Sequence, residues 1–193
     1  MYIKNNTLAV IFRMIFLIVC GAGLIIKLMN DGFAAAVILG DFALVSNTLA
    51  LIYFAYLIIA RPGYERGALR GAVTIYMIVT FIIYYYLYFG LSSAADLSIP
   101  EYLLYFITPV MAVADYLLFC RKGSFGAYSP VLWILIPVLF NIMVFIVNYM
   151  GFAASMIPYF NLLRMNMIIT LLVFLGLGYL LFIADNLLAG RRR

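Results

Sequence analysis

The pattern of apolar and polar positions divides the chain into six long apolar stretches separated by short polar connections. A helix that crosses the roughly 30 Å hydrocarbon core of a membrane needs about 20 apolar residues, and each stretch approaches that length. Lipid offers no hydrogen-bond partner to the backbone, so the pattern predicts helices. The predicted helices cover approximately residues 8–28, 38–60, 72–91, 102–120, 131–150 and 162–187.

The composition indicates lipid rather than water as the surrounding medium. Apolar residues make up 68% of the chain and charged residues 10%, and the mean hydropathy is +1.17. A soluble domain has about half its residues apolar and about a quarter charged. We therefore expect an all-α integral membrane bundle of six transmembrane helices that forms one domain over residues 1–193.

The placement of lysine and arginine predicts the orientation of the bundle. With the N-terminus in the cytoplasm, the outer side keeps only Lys27 and Arg164 of the 12 basic residues. Cytoplasmic connections are enriched in these residue types. We therefore expect a multi-pass protein of the cell membrane, a bacterial inner membrane, with both termini cytoplasmic; the net charge of +5 does not indicate nucleic acid. The residues on the predicted cytoplasmic side are Lys4, Arg13, Arg61, Arg66, Arg70, Arg121, Lys122, Arg191, Arg192 and Arg193.

Polar side chains inside the spans are energetically costly, so they suggest a site or a packing contact. On the predicted second helix, Ser46 and Asn47 share a stripe with Ala43 and Ala50, which suits either close helix packing or a buried polar site. A similar polar stripe lies on the predicted fourth helix. The candidate polar site comprises Asp41, Ser46, Asn47, Tyr105, Thr108 and Asn141.

Asp115 lies inside the predicted fourth helix, about 8 Å from its cytoplasmic end at 1.5 Å per residue. Arg13 lies at a similar depth on the first helix, so we expect an ion pair between them, with Arg121 and Lys122 as alternative partners that reach inward. Such a pair either fixes the packing of the helices or serves as a headgroup or proton site. Pro109 on the same helix predicts a kink and a backbone carbonyl without its helical donor.

For one further aspartate, two cysteines and two glycines of the predicted spans we expect structural roles. Asp185 lies near the cytoplasmic end of the last helix, where we expect a solvated carboxylate. Cys20 and Cys120 lie at different depths, so we do not expect a disulfide between them. Gly176 and Gly178 suit the close approach of another helix.

The sequence gives no positive indication of a metal or cofactor site. It contains no histidine, which removes the commonest general base and the commonest metal ligand. It also shows no phosphate-binding loop, dinucleotide fingerprint or cluster of metal ligands. We therefore expect neither a metal nor a cofactor.

Several segments resemble the motifs of a known membrane family. Residues 42–49 (Phe-Ala-Leu-Val-Ser-Asn-Thr-Leu) resemble its first signature, and residues 104–109 and 115–119 resemble its second. Trp133, Pro137 and residues 157–160 follow in the same order. The chain is thereby similar to a bacterial six-helix membrane family of unknown function. That family is distantly similar to the androgen-induced-gene family of fatty-acid-ester hydrolases.

The resemblance implies the fold more directly than the activity. The related hydrolases are described with a threonine nucleophile and a histidine, and those positions hold Ala43 and Tyr105 here. A hydroxyl nucleophile needs a nearby base. We therefore expect a non-catalytic protein that binds a lipid, a fatty-acyl ligand or another membrane partner. The alternatives are a lipid-ester hydrolase that uses Ser46 or Thr108, and a small transporter that uses Asp115 and the midplane asparagines Asn47 and Asn141.

Overall fold

The computed structural model describes residues 6–31, 41–60, 67–85, 98–149 and 167–190. These residues are almost entirely helical, and no strand occurs among them. We number the helices α1 (Asn6–Asp31), α2 (Phe42–Ala60), α3 (Gly67–Tyr84), α4 (Ile99–Phe119), α5 (Ser129–Leu132), α6 (Leu135–Tyr149) and α7 (Met167–Ala189).

The helix boundaries differ from the sequence prediction at several places; for example, α1 begins at Asn6 instead of residue 8, and α4 begins at Ile99 instead of residue 102. The second helix starts at Phe42 instead of residue 38, the third starts at Gly67 instead of residue 72, and the fifth is divided into α5 and α6. The earlier start of α3 matters most, because it moves Arg70 from a connection into a helix. The parts of the predicted helices that lie outside the described residues are 38–40, 86–91, 150 and 162–166.

Among the residues that the structure describes, four helices are long and apolar enough to cross a membrane. They are α1, α2, α4 and α7, with the last counted from Leu171. Two further apolar stretches, Gly67–Ile82 in α3 and Ser129–Met143 across α5 and α6, are shorter. The described part of the chain is therefore an all-helical bundle with four candidate membrane spans.

Helix α4 contains a π-helical turn over Leu103–Ile107. The Thr108 N–H donates to the Leu103 carbonyl, five residues back. Pro109 follows, and proline has no N–H to donate to a carbonyl of the preceding turn. The sequence predicts a kink at Pro109, and the structure has a π turn immediately before Thr108 and Pro109.

Two groups of buried apolar side chains form the interior, and α3 contributes to both. The first lies among α1, α2, α3 and α4. The second lies between α3 and the segment from Phe125 to α7, includes Phe42 from α2 and Tyr116 from α4, and is rich in aromatic rings. Helix α3 therefore lies at the boundary between the two halves of the bundle, together with the start of α2 and the end of α4. Representative members are Phe16, Leu44, Phe54, Met77 and Leu104 in the first group, and Phe42, Tyr76, Trp133, Phe140 and Phe174 in the second.

Helix α3 and Trp133 approach each other closely because Gly71 has no side chain. A Cβ atom on Gly71 would lie 2.0 Å from Cζ2 of Trp133. The indole Nε1 donates to the Ala68 carbonyl over 2.7 Å. Gly67 allows a similar approach at the start of the helix, where a Cβ would lie 2.4 Å from the Ser124 carbonyl oxygen.

The two glycines of α7 have different surroundings. A Cβ on Gly178 would lie 3.3 Å from Cβ of Pro130, so this glycine is in close contact with α5. A Cβ on Gly176 would meet nothing within 4 Å in the described structure. The expectation of close helix approach is therefore confirmed at Gly178 and wrong at Gly176.

Candidate functional site

Asn47 is the centre of a buried hydrogen-bond cluster in the first half of the bundle. Its side chain is fully buried. Nδ2 donates to the Ala43 carbonyl over 2.8 Å and to the Leu104 carbonyl over 2.9 Å. Oδ1 accepts a hydrogen bond from Thr108 Oγ1 at 2.5 Å. These contacts join α2 to α4.

The π turn of α4 explains why Asn47 binds the Leu104 carbonyl. The Thr108 N–H is directed to Leu103, and Pro109 has no N–H to offer to Leu104. A buried carbonyl without a donor costs free energy. The Asn47 amide and the Thr108 hydroxyl, at 2.9 and 3.1 Å, supply the missing donors.

Ser46 extends the cluster to α3, and Cys20 extends it to α1. The Ser46 hydroxyl lies 2.8 Å from Thr80 Oγ1 and 3.0 Å from the Ala43 carbonyl. The Cys20 thiol lies 3.5 Å from the Asn47 carbonyl oxygen. Polar contacts therefore connect all four helices of this half.

A second set of polar contacts lies at the end of the bundle that contains Lys27. Tyr105 donates a hydrogen bond from its hydroxyl to Asp41 Oδ2, and Asp41 Oδ1 accepts from the Ala43 N–H at 2.8 Å. Lys27 lies 3.2 Å from Glu101, so α1 and α4 are also joined here.

The structure does not bring Asn141 into contact with the other members of the candidate polar site. Its Nδ2 donates to the Pro137 carbonyl of its own helix over 2.8 Å. Among the described residues it makes no hydrogen bond to α2 or α4. The candidate site is therefore a group of five residues on or beside α2 and α4, with Asn141 apart on α6.

Asp115 contacts two arginines at the opposite end of the same half. Arg13 Nε lies 3.0 Å from Oδ1, and Arg70 Nη1 lies 2.9 Å from Oδ2. All three side chains are buried, with exposed fractions of 6% or less. The predicted contact between Arg13 and Asp115 is therefore present, and it is shared with a second arginine.

Arg70 is the residue of this group that sequence reasoning missed. The apolar pattern starts the third helix at residue 72, which leaves Arg70 in a cytoplasmic connection. Gly67 and Gly71 are four residues apart, and such pairs are typical of close helix contacts. This spacing was the sequence feature that could have indicated a helix around Arg70. Among the described residues, the alternative partners Arg121 and Lys122 do not contact Asp115; Lys122 instead donates to the Tyr116 carbonyl and lies over its ring.

The expectation of a solvated carboxylate at Asp185 is wrong, because this side chain is fully buried. Its Oδ1 accepts from the Tyr116 hydroxyl at 2.8 Å. Its Oδ2 accepts from the backbone N–H of Ser124 at 3.0 Å and of Phe125 at 3.4 Å. The connection after α4 folds back over the end of α7, which removes this carboxylate from water. In that connection, burial lowers the pKa of Lys122.

The hydroxyls proposed as nucleophiles have neutral partners. Ser46 contacts Thr80 and the Ala43 carbonyl, and Thr108 contacts Asn47 and the Leu104 carbonyl. Within the residues that the structure describes, neither hydroxyl contacts a carboxylate or a basic side chain. Activation of a hydroxyl needs such a group. The same residues contain no cluster of three His, Cys, Asp or Glu side chains that could hold a metal ion.

Comparisons of the chain with protein-family models, curated proteins and solved structures find no match. The resemblance to the bacterial six-helix family therefore stays a prediction from the sequence motifs. The geometry of the polar groups is the remaining basis for a proposal about function. Those groups bind one another, and the thiols of Cys20 and Cys120 are buried.

Proposed function

We propose that the chain is a cell-membrane protein with six spans and cytoplasmic termini, and that it binds a lipid or another membrane partner without catalysing a reaction. The apolar helices α1, α2, α4 and α7 supply four spans. The shorter apolar helix α3 and the α5–α6 segment supply the other two. The large exposed apolar side chains support lipid as the surrounding medium, for example Ile18 on α1 and Leu180 on α7, which are 67% and 63% exposed.

The observation that carries the proposal is that the buried polar side chains bind one another. Asn47 and Thr108 are fully buried, and their hydrogen bonds go to neighbouring side chains and carbonyls. Asp115 is bound by two arginines in the same way. A ligand is therefore recognised by the apolar outer surface, which favours a lipid or a membrane protein over a polar substrate.

The orientation rests on the basic residues outside the buried ion pairs. Arg13 and Arg70 bind Asp115, so their positions reflect packing as well as topology. Arg121 is exposed in the connection after α4, and the same connection carries Lys122. A basic connection of this kind is typical of the cytoplasmic side.

Labelling of introduced cysteines in intact cells tests the topology. In a chain that carries Cys20→Ala and Cys120→Ala, we expect a membrane-impermeant maleimide to label Ser98→Cys from outside. Arg121→Cys should react only after the membrane is permeabilised. Both positions are exposed in the described structure, so they form a matched pair. The reverse pattern, or labelling of both from outside, would contradict the proposed orientation.

Native mass spectrometry of the protein purified in mild detergent tests binding. We expect one class of lipid to remain bound and to be enriched relative to the membrane from which the protein was extracted. The same sample unfolded in dodecyl sulfate provides the control, since it should release that lipid. A folded protein that carries no lipid, and that also purifies without a protein partner, would refute the proposal.

A further inference from the structure

A cleft of about 240 Å³ lies between α3 and α4, outside the polar cluster. Its wall consists of five apolar side chains: Ile78 and Phe81 from α3, and Pro109, Val110 and Val113 from α4. Ile78 and Phe81 are three residues apart, and Pro109 and Val113 are four apart. Each set therefore lies on one face of its helix. The cleft is partly open, and Val110 at its edge is 48% exposed.

The irregular turn of α4 accounts for an opening between two helices that otherwise pack along their lengths. The π turn ends at Ile107, and the compact ring of Pro109 follows where a longer side chain would fill the contact. Val110 and Val113 are short and branched. Phe81 lies against Phe106 with 5.6 Å between the ring centroids, which supports one wall of the opening.

The volume and the apolar lining of the cleft favour a hydrocarbon chain as its occupant. An apolar cavity of about 150 Å³ takes a benzene molecule, so this cleft has room for a short length of hydrocarbon. Ligand pockets for drug-sized molecules are about 300 to 1,000 Å³, which is larger. Among the described residues, the lining offers no polar side chain to a headgroup. The opening lies in the apolar part of α4, a candidate membrane span, and in the proposed membrane location the molecules that surround it are lipids with acyl chains.

We propose that the cleft between α3 and α4 binds one acyl chain of a membrane lipid, with the headgroup outside the cleft. The inference rests on the proposed membrane location and lipid binding, and it specifies the site and the portion of the lipid that is recognised. The attraction is van der Waals contact, because lipid tails are as apolar as the side chains that line the cleft. If the cleft stayed empty, the side chains that line it would lose those van der Waals contacts.

Photocrosslinking in vesicles tests the site. The full chain is reconstituted with phosphatidylcholine that carries a diazirine on one acyl chain, irradiated and mapped by mass spectrometry. We expect crosslinks to be several-fold enriched on residues 78, 81, 110 and 113 relative to the exposed apolar residues of α1 and α7.

Two substitutions that fill the cleft sharpen the test. Val113→Trp should lower crosslinking at Ile78 and Phe81 several-fold, and Val110→Phe, at the exposed edge, should do so with less risk to folding. Leu180→Trp on α7 is the matched control, since it adds the same ring to a lipid-exposed surface away from the cleft. Thermal unfolding confirms that each variant is folded.

The possible outcomes distinguish the acyl-chain site in the cleft from the broader proposal that the protein binds a lipid. Crosslinks spread evenly over exposed apolar residues would indicate boundary lipid only and would overturn the acyl-chain site. A lipid that still co-purifies with both cleft variants would leave lipid binding intact while removing this site. Loss of the co-purified lipid in Val110→Phe, but not in Leu180→Trp, is the result that the cleft predicts.

Discussion

Asp115 and Asp185 are both fully buried carboxylates near the same end of the bundle, yet different groups surround them. Asp115 is bound by the guanidinium groups of Arg13 and Arg70, which come from α1 and α3. Asp185 accepts hydrogen bonds from the Tyr116 hydroxyl and from two backbone N–H groups. One carboxylate therefore joins three helices, whereas the other fixes a connection to the end of a helix.

The different partners of Asp115 and Asp185 indicate which kind of contact stabilises which region of the molecule. A buried ion pair loses much of its attraction to desolvation, but removal of one partner leaves an uncompensated charge. Hydrogen bonds to backbone N–H groups instead impose a local geometry on the connection. We expect loss of Asp115 to weaken the whole bundle and loss of Asp185 to release one segment.

The largest effect is expected for Asp115→Asn. Asparagine cannot neutralise Arg13 and Arg70, so the free energy of unfolding should fall by about 3 to 5 kcal/mol. Reversible unfolding in mixed detergent micelles measures this. Arg13→Gln should cost less, because Arg70 continues to bind Asp115. Equal stability of Asp115→Asn and the native chain would show that the ion pairs contribute little.

A smaller and more local effect is expected for Asp185→Asn. Hydrogen bonds to a charged group are worth about 1.5 to 3 kcal/mol, and the neutral amide accepts them less strongly. Hydrogen exchange should accelerate at the amides of Ser124 and Phe125 before the bundle unfolds. Tyr116→Phe, which removes only the hydroxyl contact, should leave those two amides protected. Uniform acceleration over all helices would contradict the distinction between the two carboxylates.

Gly71→Ala tests whether the position of α3 supports the ion pairs of Asp115. The new Cβ would lie 2.0 Å from the Trp133 ring, and such overpacking costs about 1 to 3 kcal/mol. Displacement of α3 would also move the adjacent Arg70. Gly176→Ala is the matched control, because its Cβ meets nothing within 4 Å in the described structure. Equal melting temperatures of the two variants would argue against a tight contact at Gly71.

The smallest effect is expected for the neutral cluster around Asn47. Hydrogen bonds between helices in membranes average about 0.6 kcal/mol and reach about 1.7 kcal/mol. Asn47→Ala should fall in that range or slightly above it, because it also leaves the Leu104 carbonyl with one donor fewer. Thr48→Val is the control, since that hydroxyl donates to the Leu44 carbonyl of its own helix. A loss as large as that of Asp115→Asn would mean that charge is not the deciding difference.

The contact between Arg13 and Asp115 was predictable because depth in a membrane follows directly from residue count along a helix. The helical stripe also identified Ser46, Asn47 and Thr108. Arg70 was missed because its helix begins a turn earlier than the apolar pattern indicates.

Proline at position 109 predicts a freed backbone carbonyl, but the burial of Asp185 and the π turn that makes Leu104 the freed carbonyl illustrate what a sequence pattern does not contain. Asp185 is buried because a connection folds back over it, which depends on tertiary structure. The Leu104 carbonyl lacks a helical donor because a π turn shifts the hydrogen bonds before Pro109. Neither feature changes the period of apolar residues.

The closed polar interior can be tested most directly by labelling Cys20, whose thiol lies beside Asn47. In the folded Cys120→Ala chain, reconstituted in vesicles, a small water-soluble methanethiosulfonate should label Cys20 only after denaturation. Ser98→Cys in the Cys20→Ala, Cys120→Ala chain should react at once and so confirm that the reagent is active. Labelling of Cys20 in the folded protein as fast as in the denatured protein would reveal a water-filled path to the polar cluster and would contradict the closed interior on which the proposed non-catalytic function rests.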